Sequence, residues 1–263
     1  MKAATLRSLS RKHYTLAKHR SLSTGAVCTA QRSFLDTPYP SVYEYSTRNS
    51  DQEPQVLQDI RESTMRRNPE NAQKMISPLQ GAFMAHLVRT QQPRRILELG
   101  CFTGYSAIWL AHGLRSCHHQ SGDSPQPHLW TCENEQHIAA IAAENIIKSG
   151  YSDSVTLMDR PADHVLTHWD PSKKLDLIFI DANKSAYSRY YDLVLKNDLL
   201  SENGQLIIDN VLLNGNVHAR FKSPKPSLLT KLRNFNRYVA EDPQTNSVIL
   251  PVFDGLMFVT KRK

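Results

Sequence analysis

The sequence predicts a Rossmann-like, doubly wound α/β sheet of seven strands, mostly parallel, with an antiparallel C-terminal hairpin. Three observations predict it. Five short apolar, β-branched-rich runs alternate with segments of helical period, as βα units do. Three of those runs end in polar, chemistry-bearing residues: Glu98-Leu-Gly-Cys-Phe-Thr-Gly104, Asp181-Ala-Asn-Lys184 and Asp209-Asn210. Buried parallel strands look like this where their carboxyl ends open into a site. Finally, two strand-like runs flank Phe253-Asp-Gly255, a hairpin turn.

The elements follow in order. Residues 36–50 are rich in Pro, Tyr and Ser without a clear period and read as a linker or arm. From Gln52 to Arg67, Val56-Leu57, Ile60 and Met65 fall at helical spacing, and Asn68-Pro69 stops the run. Pro78 opens a second helix, Leu79 to Thr90, with Phe83, Met84 and Leu87 on one face. Strand Arg95–Leu99 then leads to helix Ser106–Leu114, and strand Leu129–Cys132 to helix Glu135–Ser149, which Gly150 ends as a C-cap. Strand Val155–Met158 precedes a short helix, Pro161–Trp169, and strand Leu175–Ile180 precedes helix Ala186–Lys196. Strand Gln205–Asp209 runs into a loop and helix Ser227–Glu241, and Ser247–Val252 with Leu256–Lys261 makes the hairpin. The polar stretch 115–128 reads as a solvated insertion, because His118, His119 and His128 show no regular ligand spacing.

A chain of 263 residues with 40% hydrophobic content can bury a full core. Its net charge of +7 is local: residues 1–35 hold seven bases and no acid, and the remainder carries 25 bases and 25 acids. A nucleic-acid footprint needs a basic face on the folded part. The balanced remainder argues against one, so no nucleic-acid partner is expected. The leader, rich in Arg and Ser with Leu6, Leu9, Leu16 and Leu22, reads as a mitochondrial transit peptide processed near Thr29, which places the protein in the mitochondrion or otherwise in the cytoplasm. No apolar run approaches the ~20 residues of a membrane span. Residues 51–263 are expected to form one domain. Cys28, Cys101, Cys117 and Cys132 contain no CxxC pair and read as free thiols.

Glycine at 100 lets the backbone turn sharply after its strand, and Gly104 sits where a helix begins and its amides can receive a carboxylate. The spacing G-x-x-x-G fails the dinucleotide fingerprint. Glu133, ending the next strand, suits ribose hydroxyls. Asp181, Asp209 and Asn210 offer two carboxylates and an amide oxygen, a hard set that suits Mg²⁺ with its retained waters. Lys184, three residues on, is placed to act as a base. The alternative for the two aspartates is helix capping.

Together these motifs resemble the cation-dependent, S-adenosylmethionine-dependent O-methyltransferase family of the caffeoyl-CoA and catechol type. The likeness runs from Met75 to Lys263, more weakly from Tyr45, and includes the turn Pro251-Val-Phe-Asp-Gly255. The resemblance implies Mg²⁺ or another divalent cation on Asp181, Asp209 and Asn210. It implies catalysis by Lys184 with Asp181, and cofactor contacts at Met75, Glu98, Gly100, Thr103, Gly104, Tyr105, Ser106, Glu133, Ala162, Asp181 and Asn183. Ser77 falls near the segment that closes over the site. Asn183 stands where the family usually has Asp, and Glu133 where Asp is frequent.

The implied activity is methyl transfer from S-adenosylmethionine to a small catechol-like or phenolic acceptor by a homodimer. A nicotinamide oxidoreductase would share the sheet but not the glycine spacing or the terminal hairpin. A nucleic-acid-directed methyltransferase or a non-catalytic protein on this scaffold are the other readings. The first is opposed by the neutral domain and the second by the intact acids and Lys184. Acceptor choice is expected from the N-terminal arm and residues 212–227, where Arg220, Lys222 and Lys225 suit an anionic tail such as a CoA phosphate.

Overall fold

The computed structural model describes residues 40–117, 126–218 and 226–263. The expectations for the leader, Cys28, His118, His119, Arg220, Lys222 and Lys225 lie outside them.

Seven strands form one sheet, β1 (Arg95–Leu99), β2 (His128–Glu133), β3 (Val155–Asp159), β4 (Leu175–Ile180), β5 (Leu200–Ile208), β6 (Thr245–Leu250) and β7 (Leu256–Lys261). Their order is β3-β2-β1-β4-β5-β7-β6. The first five are mutually parallel, and β7 runs antiparallel to both β5 and β6. This is the predicted fold class. The strand order reverses between β1 and β4, so a doubly wound sheet opens its binding crevice there.

The helices are α1 (Pro40–Arg48), α2 (Gln55–Arg67), α3 (Pro78–Gln91), α4 (Tyr105–Arg115), α5 (Gln136–Ser149), α6 (Ala162–His168), α7 (Tyr187–Lys196) and α8 (Pro226–Glu241). They cover both faces of the sheet. One core cluster joins Leu57 and Ile60 of α2, Met84 and Val88 of α3, and Ile108 and Trp109 of α4 to Leu177, Phe179 and Ile207 of the sheet. The other joins Val165, Tyr191, Val194, Leu232 and Phe235 to Leu97, Leu99, Ile178 and Ile208. Adjacent residues along β1, β4 and β5 therefore alternate between two dry layers, which is why these strands read as continuous apolar runs.

Two segments differ from the sequence reading. The stretch read as a linker or arm carries α1; within it Thr47 Oγ1 donates to Tyr43 O at 2.9 Å, and just past its end Ser50 Oγ donates to Ser46 O at 2.7 Å. The segment is short and its described side chains are exposed or half-buried, so no long apolar period marks it in the sequence. β5 begins at Leu200 rather than Gln205. Its register against β4 shifts between Leu175 and Leu177, so Glu202-Asn-Gly204, which looks like a turn, is an irregularity within the strand.

Candidate active site

Register builds the site. Leu99 of β1 pairs with Cys132 of β2 and with Ile180 of β4, and Ile180 pairs with Ile208 of β5. The next residues, Glu133, Gly100, Asp181 and Asp209, therefore stand side by side across the carboxyl edge, about 5 Å from strand to strand. The ladder carries on into these positions: Asp181 N–H donates to Leu99 O and Asp209 N–H to Ile180 O, each at 2.9 Å.

Gly100 occupies the reversal point with φ +98°, and a Cβ there would lie 2.2 Å from the Asp181 carbonyl oxygen. Only glycine lets β1 turn away this close to β4. The turn continues through Phe102 (φ +47°) to Gly104 (φ +89°), which begins α4 and supplies no side-chain cap. The first-turn amides of α4 are left for an anionic group. Glu133 holds the turn from β2. Its Oε2 accepts from Phe102 N–H at 2.9 Å, and its Oε1 accepts from Asn134 N–H at 2.8 Å and Glu135 N–H at 3.0 Å.

Glu98 is fully buried, and burial raises its carboxyl from 4.5 to about 7 against the opposing Ser106 and Thr131 hydroxyls. Thr131 Oγ1 donates to Oε2, while Oε1 has no hydrogen-bond partner among the described residues. A buried acceptor left unpaired beside Asp181 and Glu133 is an environment that an incoming cation relieves.

Asp209 is 1% exposed, and burial with the neighbouring Asp181 charge pushes its carboxyl above the usual carboxylate range. Its Oδ2 accepts from Gln80 Nε2 and its Oδ1 from Asn210 N–H, both at 2.6 Å, while Tyr187 Oη donates to its carbonyl oxygen at 3.0 Å. Asn210 follows in the left-handed region, φ +56°. Lys184 Nζ donates to Asp181 Oδ1 at 3.3 Å. Asp254, brought in by the turn before β7, has its carboxyl raised by burial, with Asn214 N–H and the Asn210 side chain acting against that.

The structure thus brings Glu98, Gly100, Gly104, Glu133, Asp181, Lys184, Asp209 and Asn210 to one edge. Ala162 opens α6 just past β3, 9% exposed, and Ser106 is half-buried in the first turn of α4. Met75 (5% exposed) packs in the core cluster that includes Tyr105, and Ser77 caps α3 by accepting Gln80 N–H at 3.2 Å.

Three predicted side chains hydrogen-bond within the protein. Thr103 Oγ1 accepts from Thr64 of α2 at 3.0 Å in a buried contact. Tyr105 Oη donates to Glu53, which Arg61 clasps with Nη2 at 2.8 Å and Nε at 3.1 Å. Asn183 is exposed, and its Oδ1 accepts from Ser185 N–H at 3.1 Å and Ser185 Oγ at 2.8 Å, capping the short turn Lys184–Ala186. Sequence reasoning missed Gln80 and Tyr187 and read Asp254 only as part of a turn. The available signal for Gln80 was a polar residue on the buried side of a helix.

The donor set suits a hard divalent cation. Like charges abut on neighbouring strand ends, one of them buried, and a cation shared between them removes both penalties. Among the described residues no group of three His, Cys, Asp or Glu stands ready for a metal, so the set on offer is two carboxylates and an amide oxygen.

Known proteins share this architecture. The sequence model of the O-methyltransferase family matches residues 46–262. A catechol O-methyltransferase of Niastella koreensis is 32% identical over 69% of this chain and 79% of its own length. Probable caffeoyl-CoA O-methyltransferase 1 of Dictyostelium discoideum is 28% identical over 84% of this chain and 92% of its own. The crystal structure of the methyltransferase PaMTH1 of Podospora anserina, bound to S-adenosylhomocysteine, superposes with a TM-score of 0.78 at 31% identity, covering 91% of this chain and all of that one. The fold and site define an S-adenosylmethionine-dependent methyltransferase. The chain belongs to the O-methyltransferase family.

Proposed function

We propose that this enzyme is a divalent-cation-dependent O-methyltransferase of a small catechol-like or phenolic acceptor. The observation that supports it most is the abutting pair Asp181 and Asp209 with Lys184 3.3 Å from Asp181. Asp181, Asp209 and Asn210 would hold the cation, which as a Lewis acid and template supplies stabilisation of an acceptor oxyanion.

Each residue then has a task. Lys184 Nζ, as the neutral amine, takes the proton of the acceptor hydroxyl. The resulting oxygen attacks the sulfonium methyl in line, the S–CH₃ bond breaks, and a methyl ether and S-adenosylhomocysteine result. Gly100 admits the cofactor close to the backbone, Glu133 is held ready for the ribose, and Glu98 and Asp181 favour the cationic sulfonium end. Placing the two reactants against each other supplies proximity.

The test is methyl transfer from labelled S-adenosylmethionine to a panel of catechols and phenols, caffeoyl-CoA among them, by the leader-free protein with Mg²⁺. Turnover on vicinal diols supports the proposal; cofactor binding without turnover on any member overturns it.

Location and assembly are also proposed. The acid-free, Arg-rich leader supports mitochondrial import, and a fusion of residues 1–35 to a reporter that stays cytosolic would refute it. A homodimer is expected from the family resemblance; light scattering should give twice the chain mass of 29.9 kDa.

A further inference from the structure

Gln80 is 5% exposed in the first turn of α3, and its Nε2 donates to Asp209 Oδ2 at 2.6 Å across 129 residues of sequence. Among the described residues it is the side chain that donates to this carboxylate, the other donor being the Asn210 amide. The mount is stiff. Ser77 accepts Gln80 N–H, Pro78 takes the first helical position, and Gly81 lies so close to α4 that a Cβ would come within 2.3 Å of the Trp109 indole nitrogen. Backbone, cap and neighbouring helix together leave the amide little room to drift.

The chemistry of the donor matters. A carboxylate offers about four lone-pair directions. Gln80 and Asn210 N–H use one on each oxygen and leave the others for a ligand. A lysine at 80 would neutralise one of the two acids, and a glutamate would add a third negative charge. A neutral amide orients Asp209 while leaving both negative charges for a divalent ion.

We infer that Gln80 is a positioning residue for Asp209, fixing the carboxylate that receives the cation and tying the segment 72–80 to the end of β5. This rests on the metal reading above. It is tested by titrating Mn²⁺ into cofactor-free protein, read by water-proton relaxation, for wild type, Gln80→Met, Gln80→Asn and Asp209→Asn. S-adenosylmethionine affinity by calorimetry and melting temperature are measured on the same samples.

Both Gln80 variants are expected to bind Mn²⁺ about tenfold or more weakly, as loss of a ligand-orienting partner does, with cofactor affinity within about twofold. A merely structural role would move cofactor affinity and melting temperature as well. Gln80→Asn keeps the amide but shortens its reach by one methylene, so it guards against a folding defect in the apolar variant. Wild-type Mn²⁺ affinity in both Gln80 variants, with Asp209→Asn deficient, overturns the inference and leaves the metal reading standing. A wild-type protein that takes up no Mn²⁺ overturns both.

Discussion

Gly100 is the residue on which the site's shape depends. With φ at +98°, and with any Cβ there brought to 2.2 Å from Asp181 O, Gly100→Ala must push β1 away from β4 or bend the turn. We expect Gly100→Ala to lose cofactor binding in calorimetry while Gly150→Ala, with nothing within 4 Å of its Cβ, leaves binding intact. Glu98 makes a pH prediction. Its carboxyl lies near 7 in the folded chain and at the ordinary 4.5 when unfolded, so between those values the folded state holds a proton the unfolded state has released. Stability is then highest below pH 4.5 with respect to this group and falls as pH rises to about 7, by roughly 3 kcal/mol. Glu98→Gln should flatten that slope in denaturant titrations of the cofactor-free protein; an unchanged slope would contradict the burial argument. Lys184→Ala should lower kcat more than it raises KM, and a pure KM effect would make Lys184 a substrate contact rather than the base.

At the scale of elements, the covering helices are bolted to the glycine turn by buried polar contacts. Glu53 precedes α2, Arg61 lies within it, and Tyr105 opens α4; Arg61 and Glu53 are only 22% and 11% exposed. Arg61→Ala leaves Glu53 without its cation and should cost about 2 kcal/mol, less than a fully buried pair because some water reaches it. Urea denaturation checks this, and a cost near zero would show the contact to be incidental. These elements also show what was legible. Helical period and the βα alternation located α2 through α8, and β4 was placed at its observed limits, Leu175–Ile180. α1 escaped because it is short and mostly exposed, so the sequence carries no long apolar stripe there. The start of β5 escaped because Asn203-Gly204 signals a turn in isolation and an irregular strand when β4 lies alongside.

For the whole molecule, the doubly wound topology brings acids far apart in sequence to neighbouring positions: Glu98, Glu133, Asp181 and Asp209 meet because β2, β1, β4 and β5 are adjacent. That much follows from polar residues at strand ends. What the sequence could not show was side-chain commitment. Thr103, Tyr105 and Asn183 stand at motif positions, Asn183 in place of the family's usual Asp, and their polar atoms bond to Thr64, Glu53 and Ser185. Gln80 carries no motif signal, yet reaches Asp209. Among the described residues no helix is long and apolar enough to cross a membrane. The proposed chemistry stands or falls on whether the paired acids make methyl transfer depend on a divalent cation. The most direct measurement is labelled methyl transfer to a catechol by leader-free enzyme in EDTA, followed by adding back excess Mg²⁺. Turnover should be abolished by EDTA and restored by Mg²⁺, with Asp181→Ala inactive in both; full turnover in EDTA would contradict cation dependence.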